Sequence, residues 1–174
     1  MPEPTKSADF DRVVLAHLDA AYNLARWLVR DDHDAEDVVQ EAYLRAFRFF
    51  AGFRGGDPRA WLLKIVRNTA FTWLHRNRPA NPPAEFDENL HQGPEESPTL
   101  EAELLRKADT EMIRSALDEL PPEFREVVVL RDVEGLSYKE IAEIAEIPVG
   151  TVMSRLARAR GKLARTITAR IREA

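Results

Sequence analysis

The chain has 174 residues, 44% of them hydrophobic and 32% charged, with a formal net charge of -5, which excludes collagen-like, mucin-like and wholly disordered classes. It contains no cysteine, so disulfide scaffolds, thiolate metal sites, iron–sulfur clusters and cysteine nucleophiles are excluded together. No run approaches the roughly 18 to 20 apolar residues of a membrane span, and Met1-Pro-Glu-Pro-Thr-Lys6 lacks the basic-then-apolar plan of a secretory leader, so a cytosolic chain with no membrane insertion is expected.

Phe10, Val13, Val14, Leu18, Ala21, Leu24, Ala25 and Leu28 recur at three- and four-residue intervals and predict one amphipathic helix ending near Arg30. A second helix opens in the acidic cluster Asp31 to Asp37, where negative charge favours a helix N-terminus. It continues through Val38, Val39, Ala42, Tyr43, Ala46, Phe47 and Phe50, with Leu44 and Phe47 expected in the core. Gly52, Gly55 and Gly56 then break the chain. Asp57-Pro58 reads as an N-cap followed by proline at the first helical position, starting a third helix to about Asn77 that is expected to bury Trp61, Leu62, Ile65, Val66, Thr69 and Leu74.

Between Arg78 and Pro98, Pro79, Pro82, Pro83, Pro94 and Pro98 exclude a persistent helix, and the acidic composition predicts an extended linker. Beyond it, Leu100, Leu104, Leu105, Met112, Ile113, Leu117 and Leu120 predict a helix stopped by Pro121-Pro122. A further helix is expected from Glu123 to about Val133, with Gly135 placed to end it. Ser137-Tyr-Lys-Glu140 is a capping box that starts a short helix through Ile141, Ile144 and Ala145. The tight connection Glu146-Ile-Pro-Val-Gly150 leads into a basic helix from about Thr151. The fold class expected is all-α: two small helical domains, residues 1–78 and 99–174, joined by a flexible linker over 79–98. The apolar runs Val127 to Leu130 and Phe49-Phe50 continue helical periods, so no strand is expected.

Charge is segregated along the chain. Thr151 to Ala174 carries seven bases against the single acid Glu173, and Arg54 to Arg78 carries six against Asp57, whereas Asp31 to Glu41 and Glu85 to Glu103 contain no Lys or Arg. Two basic segments in an acidic chain suggest partners of different charge. A short capped helix, a tight turn and an Arg-loaded second helix form the plan of a helix-turn-helix, whose second helix enters the DNA major groove. Val149, Gly150, Thr151, Met153, Ser154 and Arg155 stand at its leading end within reach of base edges, with Arg158, Arg160, Lys162 and Arg165 following for phosphates. His17, His33, His75 and His91 are scattered, and no nucleophile–base pair or phosphate loop is visible, so no metal, no cofactor and no enzyme activity are expected.

The segment GLSYKEIAEIAEIPVGTVMSRLARARGKL, Gly135 to Leu163, resembles the promoter-reading region of bacterial sigma factors of the extracytoplasmic-function (ECF) family. DAEDVVQEAYLRAF, Asp34 to Phe47, looks like that family's core-polymerase-binding helix, and FRGGDPRAWLLKIVRNTAFTWLHRNR, Phe53 to Arg78, is similar to its minus-ten segment. The order and spacing match over nearly the whole chain. The resemblance implies a dissociable initiation subunit, active in transcription regulation and stress response, that brings core RNA polymerase to promoter DNA. Asp37, Gln40, Glu41 and Arg45 would meet the clamp helices of the largest subunit, and Leu100 to Leu130 the flap tip of the second-largest. Arg54, Lys64, Arg67, Asn68, Thr72, Trp73 and Arg76 would hold the minus-ten element, with Asn68 reading an extruded base while aromatics stack on unpaired bases. Trp61 is assigned to the core, and Trp73 is left between core and stacking.

An anti-sigma protein is a further implied partner. Two departures stand out: the family often has Gly near Glu146, and at Met153 it commonly has a basic or polar residue. Two rivals are a sigma-like decoy that binds an anti-sigma protein without directing transcription, and an ordinary helix-turn-helix regulator, which would dimerise on a palindrome and leave the first module's match unexplained.

Overall fold

A computed structural model describes residues 6–53, 55–77, 106 and 109–173. The linker assigned to 79–98, both of its boundaries, Arg54, and Leu100, Leu104 and Leu105 lie outside the described residues. The helices are α1 (Lys6–Leu15), α2 (Leu18–Val29), α3 (Asp32–Phe49), α4 (Pro58–Arg76), α5 (Thr110–Asp118), α6 (Pro122–Val128), α7 (Tyr138–Ala145) and α8 (Val149–Glu173). Among the described residues there is no strand.

The single helix expected from Phe10 to Arg30 is two. His17 leaves the helical region at φ -119° and ψ 9°, and its N–H donates to Val14 O at 2.9 Å. The apolar stripe continues across this turn in nearly the same phase, so periodicity alone cannot detect it. Helices α2, α3 and α4 pack on one another, and α1 lies against α4. Their core is Leu24, Ala25 and Leu28 from α2, Ala35, Val38, Ala42 and Ala46 from α3, and Leu62, Leu63, Val66 and Ala70 from α4. Three of the four buried α3 side chains are alanine, which allows close approach of its neighbours. Asp31 caps α3 by accepting from Asp34 N–H at 3.0 Å, and Asp57 caps α4 by accepting from Arg59 N–H at 3.0 Å, with Pro58 at the first position as expected.

Leu44 and Phe47 are not core residues: Leu44 is 60% exposed and Phe47 38%. The buried stripe 35, 38, 42, 46 leaves position 44 two residues out of phase, on the opposite side of the helix. Phe47 lies between the two sides and meets Phe10 edge-on, ring centroids 5.2 Å apart. On α4, Trp61, Ile65 and Leu74 are half-buried, whereas Leu63 and Ala70 are fully buried. The reason is that α4 has neighbours on two sides, α2 and α3 on one and α7 on the other, so its buried arc is wider than one stripe.

In the second module every residue from Phe124 to Leu130 is buried, including Arg125 and Glu126. The helix expected to run regularly to Val133 instead widens into a π turn over Val129–Val133, and Gly135 follows at φ 72° as the stop. The capping box forms in both directions: Glu140 N–H donates to Ser137 Oγ and Ser137 N–H to Glu140 Oε1, each at 3.1 Å. Val152, Leu156, Ala159, Leu163 and Ile167 form the buried stripe of α8.

The two modules touch. Arg125 donates to Leu120 O at 2.9 Å within its own module and to Leu28 O at 2.8 Å in the other, satisfying a carbonyl at the C-terminal end of α2. Burial pushes the Arg125 guanidinium down to about 10, which leaves it charged at neutral pH. Arg30, left-handed at φ 66°, caps α2 and donates to Asp118 O at 2.9 Å.

In urea denaturation Leu63→Ala is expected to cost roughly 2–5 kcal/mol, while Leu44→Asp stays within about 0.5 kcal/mol of the parent. Equal costs would mean that the two faces of the first module are wrongly assigned. Arg125→Met keeps the volume but removes the donor from three carbonyls, those of Leu28, Asp118 and Leu120, and a loss of about 2–4 kcal/mol is expected by the same assay.

Candidate nucleic-acid interface

The half-buried side chains of α4 include three kinds: the cations Lys64 and Arg67, the amide Asn68, and the aromatics Trp61 and Trp73. A pocket of about 400 Å³ opens beside it, lined by Lys64, Ile65, Asn68 and Trp61 of α4 with Arg45 and Phe49 of α3. Asn68 accepts at its side-chain oxygen from Arg67 Nη1 at 3.3 Å, and a side-chain amide carries two N–H donors besides. Phe49 is 58% exposed, and the Trp61, Phe53 and Phe50 rings follow on in a contiguous cluster. An aromatic wall, one amide and two cations suit a planar, hydrogen-bonding, anionic ligand such as a nucleotide.

Of the residues assigned to the minus-ten element, the pocket brings together Lys64 and Asn68. Thr72 does not line it, and its hydroxyl donates to Asn68 O at 2.9 Å. Trp73 is half-buried against the core, and Arg76 is exposed in the last turn. Arg67 turns toward the second module, where Nε donates to Glu126 Oε2 at 2.7 Å and Nη2 to Glu126 Oε1 at 3.1 Å, with its guanidinium 4.0 Å from the Phe71 ring centroid.

The face of α3 assigned to polymerase divides in two. Asp37 and Gln40 are exposed. Glu41 instead pairs with Arg45 at 2.8 Å, and Arg45 Nη1 reaches Thr69 Oγ1 at 3.4 Å, so this pair leans toward α4 and the pocket. Reading from sequence missed Leu44, which sits between Gln40 and Arg48 on the exposed face. Its signal was there, since it falls outside the 35, 38, 42, 46 stripe. The acidic cluster is partly consumed internally: Asp31 is a cap, and Asp32 accepts from Arg26 Nε at 2.6 Å, a bond that holds its carboxyl below the usual range.

The second module builds the expected helix-turn-helix. Glu146 closes α7 in the left-handed region at φ 57° and ψ 46°, and Ile147 N–H returns to Ala142 O at 3.1 Å. The left-handed cap explains why glycine would suit this position. Val149, Gly150, Met153 and Ser154 are exposed at the leading end of α8, with Thr151 half-buried. Arg155, Arg158 and Lys162 are half-buried, and the charge of Arg155 acts on Glu126. Arg160 grips Asp132 of the π turn with two bonds, Nε to Oδ2 at 3.1 Å and Nη2 to Oδ1 at 2.5 Å, so its ion pair anchors α8.

Burial raises the Glu126 carboxyl above its ordinary value of 4.5, outweighing Arg67 and Arg155, which lower it, while Glu123 adds to the rise. A carboxyl raised by folding stabilises the fold below its ordinary value and loses that contribution as pH climbs through the raised one. The stability of the parent relative to Glu126→Gln, read from urea midpoints, is therefore expected to fall as pH rises above 4.5. A difference that rises instead would show that Arg67 dominates.

Comparison with known proteins follows the same division. The family model described as Sigma-70 region 2 matches residues 13–79, and that of Sigma-70 region 4 matches residues 110–163. The ECF RNA polymerase sigma factor SigE of Mycolicibacterium smegmatis is 38% identical over 154 residues, covering 88% of this chain; the chain spans 60% of that relative's length. The RNA polymerase sigma-H factor of Pseudomonas aeruginosa is 37% identical over 175 residues, covering 95% of this chain and 89% of the relative. The fold is shared with the sigma factor RpoE of Bartonella quintana, solved with the anti-sigma factor NepR, at a TM-score of 0.70 and 24% identity over 92% of this chain and 97% of that one. With both modules matched in order, the chain belongs to the ECF RNA polymerase sigma factors of the sigma-70 family.

Proposed function

We propose that this chain gives core RNA polymerase its promoter specificity, reading duplex DNA with the leading end of α8 and holding the melted strand on α4. The observation that carries the reading is the pairing on one chain of two unlike sites. One is a convex helix end for a groove; the other is a concave pocket with Asn68, Lys64, Arg45 and an aromatic wall. A duplex-only regulator has no use for the second. In this reading Asn68 hydrogen-bonds an extruded base, Lys64, Arg67 and Arg76 hold backbone, and Met153 offers an apolar contact to a thymine methyl. Arg158 and Lys162 follow on phosphates.

The exposed face of α3, with Asp37, Gln40 and Leu44, is the docking surface for the polymerase's largest subunit. Leu44 supplies apolar area at its centre, and the two polar residues border it. The chain performs no catalytic step of its own and acts in the cytoplasm, with residues 79–98 as the tether between modules. An anti-sigma protein completes the set of partners, in keeping with the family.

Transcription of fragmented genomic DNA by sigma-free core polymerase, with and without the chain, tests the reading through the sequenced RNA 5′ ends. New starts sharing a two-part upstream motif are expected; binding to core without new starts would favour the decoy. Asn68→Ala is expected to weaken promoter opening by about 1–3 kcal/mol while duplex binding is kept, read as permanganate reactivity of the opened region. Leu44→Asp, which leaves the fold intact, is expected to weaken binding to core polymerase at least tenfold in a pull-down titration. Retained binding would remove α3 from the docking surface.

A further inference from the structure

The leading end of α8, on a strongly basic helix, turns apolar side chains to solvent. Met153 is 52% exposed and Val149 42%, and Ala157, one turn beyond Met153, is exposed as well. The three stand four residues apart and so form one ridge, advancing about 6 Å along the axis at each step. Gly150 and Ser154 beside the ridge are exposed but small, so Met153 reaches furthest from the helix. The polar side chains of these turns are directed elsewhere. Thr151 and Arg155 lie two positions from Met153, about 200° round the helix, and both are half-buried. The charge of Arg155 acts on Glu126, and the Ser154 hydroxyl donates back to Thr151 O at 3.2 Å.

Base edges in the major groove carry hydrogen-bonding atoms at every pair but one apolar group, the 5-methyl of thymine. A thioether and two aliphatic side chains have no N–H to give a base, and the methyl is the group they match. The charge around the ridge says what covers it. Thr151 to Ala174 carries seven bases against one acid, which draws a polyanion.

We propose that this ridge is a methyl reader: Met153, flanked by Val149 and Ala157, packs on thymine 5-methyl groups, so that the duplex half of the promoter is chosen there by its thymines and not by hydrogen bonds to bases. This deepens, and rests on, the reading of α8 as the helix that enters the groove. Base pairs follow one another at about 3.4 Å, so the ridge spans a short run of neighbouring pairs. Cytosine methylated at C5 places the same methyl at the same point of the groove. A cytosine in that run therefore becomes a better partner once it is methylated.

The probe is a duplex fragment carrying the upstream motif of a start recovered with the holoenzyme, each thymine of the motif replaced in turn by uracil, which lacks only the methyl. Holoenzyme affinity is expected to fall roughly three- to fivefold at each thymine the ridge touches. Cytosine at the same place is expected to weaken binding about as much as uracil, and 5-methylcytosine to restore most of it. Met153→Ala is expected to remove the uracil effect at one position, and Met153→Arg to move the preference there to guanine.

Equal affinity for thymine and uracil throughout the motif, or a motif without thymine, overturns the methyl reading. A uracil effect that Met153→Ala leaves intact at every position overturns the role of Met153. If Met153→Ala weakens binding to core polymerase while discrimination between thymine and uracil is kept, the ridge is a protein interface instead. Failure of the promoter reading looks different: the holoenzyme then yields no starts with a shared upstream motif, and this proposal falls with it.

Discussion

A carboxylate without exposed surface has to be given a cation, and for Glu126 that cation comes from the other half of the chain. Arg67 reaches it with both arms of its guanidinium, and Arg155 adds charge from α8. This requirement sets where α4 lies. One side of the helix is committed to α2 and α3 through Leu62, Leu63, Val66 and Ala70, and the other is drawn onto α6 and α7. Helix α4 is thus a shared wall, and the residues proposed to meet nucleic acid on it lie along the edges of that wall.

A second tie runs between backbone and side chain. The end of α2 leaves carbonyls that no later turn can satisfy, and Arg125 and Arg30 link that end to the α5–α6 corner. Arg125 tolerates burial because guanidinium stays protonated even when desolvation lowers its pKa to about 10. Arg59, Lys64 and Arg67 add ion pairs across the same junction, to Glu134, Glu146 and Glu126.

How much was legible in the sequence depended on the range of each interaction. The capping box at Ser137 and the proline start of α4 are written in neighbouring letters, and both form as expected. The basic recognition helix is legible because its apolar stripe and its arginines alternate regularly. The turn at His17 was not, since the stripe passes through it in phase. Leu44 was misplaced because counting apolar residues ignores which side of the helix they occupy. Least legible were the roles of Arg59, Arg67 and Arg160. An arginine carries the same letter whether it meets a phosphate or a carboxylate, and only the folded chain shows Glu134, Glu126 and Asp132 within reach.

The π turn at Val129–Val133 has a consequence for how the helix-turn-helix is aimed. One extra residue in a helical turn rotates everything after it by about 100°. Asp132 sits inside that turn and grips Arg160, while Gly135 and the Ser137 cap follow directly. Removing one residue there would let the segment relax into regular α-helix, swing the start of α7 round the axis of α6, and break the grip on α8. The insertion works as a keyway: it allows α7 and α8 to dock on α6 at one angular setting, and so fixes the direction in which Met153 and Ser154 face outward.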